Sequence, residues 1–387
     1  MKTAYDFITI GCGGLGSAAA YWLSCQAHSE VLALEQFQVG HPRGGSDDHS
    51  RIVRLAYDAP QFTALAPYAY TAWRQVEAES GIPLILKTGG LILGQMDTEL
   101  GPTIDRYARA MRDQGIPFRE YSPPEVMERW PQFKLPDTVR TLYQADTGLI
   151  DARRANATHL ALARANGATV LDDTRVLGVR TVGDGVEVRT SRGAFTAGRV
   201  VIAAGAWTNT VLESLGIQLP ITVTQQQVTY FATPHLRDFA PDRFPVWMWR
   251  GHENFYGFPV YGEVATKAAH TKLNDVVTAD TRTFEPNQAA LERLQHFLAQ
   301  HIPGALGPVL YTKTCLYDST PDENFILDTV PDAPQVVVGL GAAHAYKFAG
   351  LIGRVLSQLA VDGQTPYPIE SFTIDRPALK SLATASA

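Results

Sequence analysis

Short continuous apolar runs closed by glycine or small residues recur in separated parts of the chain, and apolar and polar positions alternate between them. Phe7-Ile8-Thr9-Ile10 and Val31-Leu32-Ala33-Leu34 come first. Thr169-Val170-Leu171 and Arg199-Val200-Val201-Ile202-Ala203-Ala204-Gly205-Ala206 lie mid-chain, and Gln335-Val336-Val337-Val338-Gly339-Leu340-Gly341 comes late. Runs of this kind read as strands buried on both faces, the texture of a parallel sheet. The stretches between them, including Gly90-Leu91-Ile92-Leu93-Gly94 and the aromatic-rich segment 223–272, read as half-exposed antiparallel strands. Helices are predicted over 62–80, from Asp151 as N-cap through Leu162, and over 348–360. The pattern predicts an α/β protein. One domain is assembled from 1–86, 147–216 and 322–387, and a second, built on a mostly antiparallel sheet from 87–146 and 217–321, interrupts it. The small-residue end 383–387 is expected to fray.

Composition narrows the function classes. A net charge of −6 over 387 residues, with no block of Lys and Arg, argues against nucleic acid as a partner. No segment reaches the roughly eighteen apolar residues of a membrane helix, so a soluble cytoplasmic protein is expected. Cys12, Cys25 and Cys315 form neither a paired framework nor CxxC spacing, so any cysteine chemistry is individual and no metal centre is expected.

The first apolar run leads into Gly11-Cys12-Gly13-Gly14-Leu15-Gly16, then a helix-like stretch, then the second run ending in Glu35. Gly11 permits a tight turn, Gly13 lets the backbone approach a pyrophosphate, and Gly16 lets helix and strand pack closely. Phosphates sit on the unpaired N–H groups of a helix N-terminus, and an acid about twenty residues on accepts from a ribose. The unit therefore reads as a Rossmann-like dinucleotide site.

This motif, Ser50-Arg51-Ile52-Val53-Arg54, Phe255-Tyr256-Gly257-Phe258-Pro259, Lys313-Thr314-Cys315-Leu316-Tyr317 and His344-Ala345-Tyr346-Lys347-Phe348 follow one another in an order that resembles the monomeric sarcosine oxidases and N-methyltryptophan oxidase, flavoenzymes of the D-amino-acid-oxidase-like superfamily. The likeness spans nearly the whole chain and is most specific around Cys315. It implies FAD, held covalently through an 8α-cysteinyl thioether to Cys315, in a Rossmann-like FAD-binding domain. It also implies a monomer that oxidises an N-methyl or other secondary α-amino acid to an imine, with O2 reduced to H2O2. Hydrolysis of the imine then releases an aldehyde and an amine such as glycine. Larger substrates of the same class are N-methyl aromatic amino acids, pipecolate or proline, and sugar-amine adducts. An NAD-linked dehydrogenase or a non-catalytic flavin-binding subunit is the reading from a different class.

The resemblance also assigns residues. Gly11, Gly13, Gly14, Leu15, Gly16, Glu35, Ser50, Arg51, Val176, Ala204, Gly205, Trp207, Cys315, His344 and Lys347 are implied cofactor contacts. A thiolate is the nucleophile that attachment at Cys315 requires. Arg54 and Lys347 anchor the substrate carboxylate, a task suited to the planar guanidinium fork, and Arg51 lies near the flavin ring. Lys267 speeds reaction with O2, because a fixed cation in a dry pocket stabilises superoxide; His270 is its implied neighbour. Tyr317 is assigned to both catalysis and substrate binding, and Met248 and Tyr256 to substrate binding. Trp247, Trp249 and Tyr346 are read with them as pocket wall. Two departures stand out. The loop Gly44-Gly45-Ser46-Asp47-Asp48-His49 lacks the relatives' consecutive histidines, and Ala342-Ala343 replaces a glycine-containing run. With the bulky Trp249, the latter is expected to reshape the pocket.

Overall fold

The computed structural model describes residues 2–271 and 273–380, so the 383–387 end lies outside them. An eight-stranded sheet carries the opening motif. Ala4–Ile10 lies parallel to Val31–Leu34 on one side and to Gly193–Ile202 on the other. Thr169–Leu171 and Ala333–Leu340 extend the parallel set. The apolar runs from separated parts of the chain thus meet in one sheet. Helix Gly14–Ser24 is buried almost throughout, because it is pressed between this sheet and helices Ala152–Ala165 and Ala349–Asp362; its side chains are accordingly apolar on nearly every face. Asp151 caps the second of these helices by accepting from the Arg154 N–H at 2.9 Å. The apolar-periodic stretch at 62–80 is helix Pro60–Ser80. A half-buried antiparallel hairpin, Val176–Val182 with Gly185–Thr190, was not foreseen from the apolar pattern.

The second sheet has nine strands and is antiparallel except where Val246–Arg250 runs parallel to Gly90–Gln95. Its central strands are not half-exposed as the alternation predicts. Thr222–Phe231, Val246–Arg250 and Thr266–His270 are buried on both faces over most of their length. Helix Gln288–His301 covers one face, with Leu294 and Phe297 against Trp247, Trp249 and Phe255. On the other face, Ile92, Met248 and Phe258 meet Ile104, Tyr107 and Met111. A three-stranded sheet of Arg51–Val53, Gly148–Ile150 and Ile85–Lys87 completes the architecture and fixes the segment carrying Arg51 and Arg54.

Candidate active site

A cavity of about 820 Å³ is lined by residues of both large sheets. At one end, strand Ala4–Ile10 turns at Gly11, whose φ of +95° is closed to ordinary side chains; a Cβ there would stand 2.5 Å from the Ala203 carbonyl oxygen. Gly16 packs directly on the Gly11 carbonyl, leaving no room for a side chain. Gly13, Gly14 and Leu15 line the cavity where the helix begins, and the Gly14 N–H donates to Ser46 Oγ at 2.9 Å. Glu35 is buried, accepting from the Cys12 N–H at 2.9 Å and the Phe37 N–H at 3.2 Å. Val176, Ala204, Gly205 and Trp207 line the same end.

Further along the cavity lies a buried ionic cluster. Asp48, on the loop that departs from the expected pattern, is 2% exposed, and its carboxylate receives Lys267 Nζ at 3.0 Å, Arg51 Nη1 at 2.8 Å and the Tyr230 hydroxyl at 2.6 Å. Lys267 also donates to the Ser50 carbonyl at 2.6 Å and stands 4.1 Å from the Phe258 ring centre. Burial lowers Lys267 to about 8 even though Asp48 pulls it upward. Burial likewise opposes the Asp48 charge, but Lys267 and Arg51 outweigh it and hold the carboxyl well below its usual range. Ser50, Arg51 and Lys267 all line the cavity.

The third region carries Arg54, Lys347, Met248, Tyr256, Tyr317 and His344. Arg54 touches Met248 Sδ and lies over the Tyr57 ring at 4.7 Å, with Lys347 Nζ 5.7 Å from the same ring. Among the described residues no carboxylate pairs with either cation. Burial, then Arg54, Arg250 and Arg51, drive Lys347 well below its ordinary range. His344 Nε2 meets the Glu323 carbonyl at 2.8 Å. Cys315 is half-buried on strand Val309–Ser319, two residues from Tyr317 and so on the same face. Burial raises its thiol, and Arg51, Arg282 and Lys313 only partly counter this.

Three expectations are corrected by strand alternation, which sends odd and even positions to opposite faces. His270, three residues from Lys267, turns away from the cavity and pairs with Glu253 at 3.1 Å. Trp247 and Trp249 flank Met248 and therefore pack against Phe297, so Trp249 does not shape the pocket. Ala342 and Ala343 bear on it differently: both adopt positive φ, +42° and +70°, at an expected cost of about 1–3 kcal/mol each. The Ala343 N–H donates at 3.0 Å to Asp318, a cavity-lining carboxyl that burial pushes up to about 6. Asp48, Asp318 and Arg250 were not singled out from sequence. Arg250 was findable, since it follows Met248 by two residues on one strand.

A family model described as FAD dependent oxidoreductase matches residues 6–359. The monomeric sarcosine oxidase of Arthrobacter sp. (strain TE1826) is 30% identical over 99% of both chains. An N-methyl-L-tryptophan oxidase of Salmonella dublin is 27% identical over 96% of this chain and 99% of its own. Among solved structures, NikD, described as an unusual amino acid oxidase essential for nikkomycin biosynthesis, superposes with a TM-score of 0.86 at 28% identity, covering 96% of this chain and 98% of that one.

Proposed function

Because this chain belongs to the FAD dependent oxidoreductase family and is a flavin-dependent amine oxidase, we propose that it oxidises N-methyl or other secondary α-amino acids to imines, reducing O2 to H2O2. The observation that carries this reading is the pair Arg54 and Lys347, set over one tyrosine ring in the dinucleotide cavity with no carboxylate of their own among the described residues. Half-buried cations without an ion-pair partner among the described residues call for an anionic ligand. We further propose that the chain acts as a cytoplasmic monomer; no described helix is long and apolar enough to cross a membrane.

The cavity fits FAD. Gly11 and Gly16 clear the turn that a side chain would fill, the helix N-terminus faces the cavity, and Glu35 is positioned for a ribose. Residues 1–86, 147–216 and 322–387 are proposed to hold the cofactor and the remainder to cover the substrate. Bound there, FAD supplies the two-electron acceptor that O2 then regenerates.

The chain's own residues do the rest. Arg54 and Lys347 orient the substrate by its carboxylate, which aligns the carbon that loses hydride. Their positive field also favours the neutral amine over the ammonium, the form from which hydride departs. Tyr256, Tyr317 and Met248 exclude water, Arg51 lies near the ring system, and Lys267 stabilises the anion formed when O2 accepts its first electron. His344 and Lys347 complete the cofactor contacts, and Cys315 supplies the thioether.

A peroxide-release screen over secondary amines of graded size tests the reading: N-methyl and cyclic amino acids release H2O2, and absence of release from all of them contradicts it. Arg54→Gln should weaken substrate binding by about 1.5–3 kcal/mol, the worth of a charged hydrogen bond. An anaerobic titration with an unchanged dissociation constant would remove that anchor. Acid precipitation should leave the yellow colour with the polypeptide in the wild type and release it from Cys315→Ser; colour released equally from both would rule out the thioether.

A further inference from the structure

The substrate end of the cavity carries a third basic side chain beside Arg54 and Lys347. Arg250 ends strand Val246–Arg250, two residues beyond Met248 and on the same cavity-facing side. Its guanidinium carbon lies 5.8 Å from the Tyr107 ring, and that of Arg54 lies 5.9 Å from the same ring. Tyr57 then joins Arg54 to Lys347, at 4.7 and 5.7 Å. Two tyrosine rings thus string the three cations along one wall. Arg250 donates to the Tyr107 hydroxyl at 2.8 Å, and although Asp58 and Glu323 favour its charge, neither forms an ion pair with it among the described residues.

The aspartates beside this wall form their ion pairs with other arginines. Asp58 is engaged by Arg106 at 3.2 Å, and Asp322 by Arg376 at 2.8 Å. An α-carboxylate placed between Arg54 and Lys347 leaves Arg250 on the same wall without an ion pair among the described residues, which a second carboxylate supplies.

We propose that Arg250 is a specificity-determining residue that binds a second carboxylate on the substrate, making the preferred substrates secondary amino acids with an acidic side chain or an acidic N-substituent. The proposal rests on the oxidase reading above. In it, the α-carboxylate sits between Arg54 and Lys347, and the second carboxylate sits beyond Arg54, where the Arg250 fork takes it bidentately.

The holoenzyme provides the test. For N-methylaspartate and N-methylglutamate, kcat/KM should exceed that for N-methylleucine by about 10- to 100-fold, the range set by one charged hydrogen bond. Arg250→Gln should collapse this ratio, and Arg250→Lys should restore part of it. A readout without turnover is the binding of glutarate against butyrate, followed through the flavin absorbance, with glutarate tighter in the wild type. Equal or better oxidation of the monocarboxylate by the wild type, or an Arg250→Gln variant that keeps the ratio, overturns the proposal while the oxidase reading stands. If no secondary amine is oxidised, the oxidase reading falls, and equal binding of glutarate and butyrate takes this proposal with it.

Discussion

Replacing Lys267 with Met is expected to slow reoxidation of the reduced enzyme by O2 about 100- to 1,000-fold, the usual effect of removing one preorganised electrostatic donor, while reduction by substrate changes far less. The asymmetry follows from position. Lys267 is 2% exposed and held by Asp48 and the Ser50 carbonyl, apart from the wall that carries Arg54 and Lys347. In the proposed role its charge bears on an anion formed from O2 and not on the substrate carboxylate. Stopped-flow measurement of the two half-reactions separates the effects, and equal slowing of both would remove this role. A pH dependence accompanies it. Burial depresses Lys267 to about 8, so the ammonium is present below that pH and is lost as pH rises through it. Wild-type reoxidation should therefore slow on the alkaline side of about pH 8, and the Met variant should show no such step.

Removing the Asp48 carboxylate should cost about 3–5 kcal/mol of stability, because Asp48→Leu leaves the buried Lys267 and the half-buried Arg51 without their shared counterion. The Tyr230 hydroxyl loses its acceptor as well. The sign of the pH dependence is also defined. The folded carboxyl lies well below its ordinary 3.8, so its contribution is complete above that value and is lost as pH falls through the lowered one. Denaturant unfolding of wild type and variant at neutral pH measures the cost, and a difference under about 1 kcal/mol would mean that the cluster relaxes without its anion.

Much of this site was legible from local sequence, because a glycine in a tight turn and an acid at a strand end solve problems within a single βαβ unit. Gly11, Gly16 and Glu35 are of that kind, as is the helix cap at Asp151. Asp48 is of the opposite kind. Its partners Tyr230 and Lys267 are 182 and 219 residues away, and nothing adjacent to it signals a buried ion cluster. His270 and Trp249 were misplaced for a simpler reason: strand alternation, applied from Lys267 and Met248, already turns them to the far face, and the same rule brings Arg250 to the cavity. The half-exposed reading of the second sheet failed because helix Gln288–His301, distant in sequence from most of the strands it covers, buries the face that alternation assigned to solvent.

Anaerobic mixing of the purified protein with secondary amino acids, followed by admission of O2, decides whether the chain is a secondary-amine oxidase. The expected result is a yellow protein whose visible absorbance bleaches with the substrate and returns with O2 as H2O2 appears. A colourless protein, or a yellow one that no secondary amine bleaches, would contradict it.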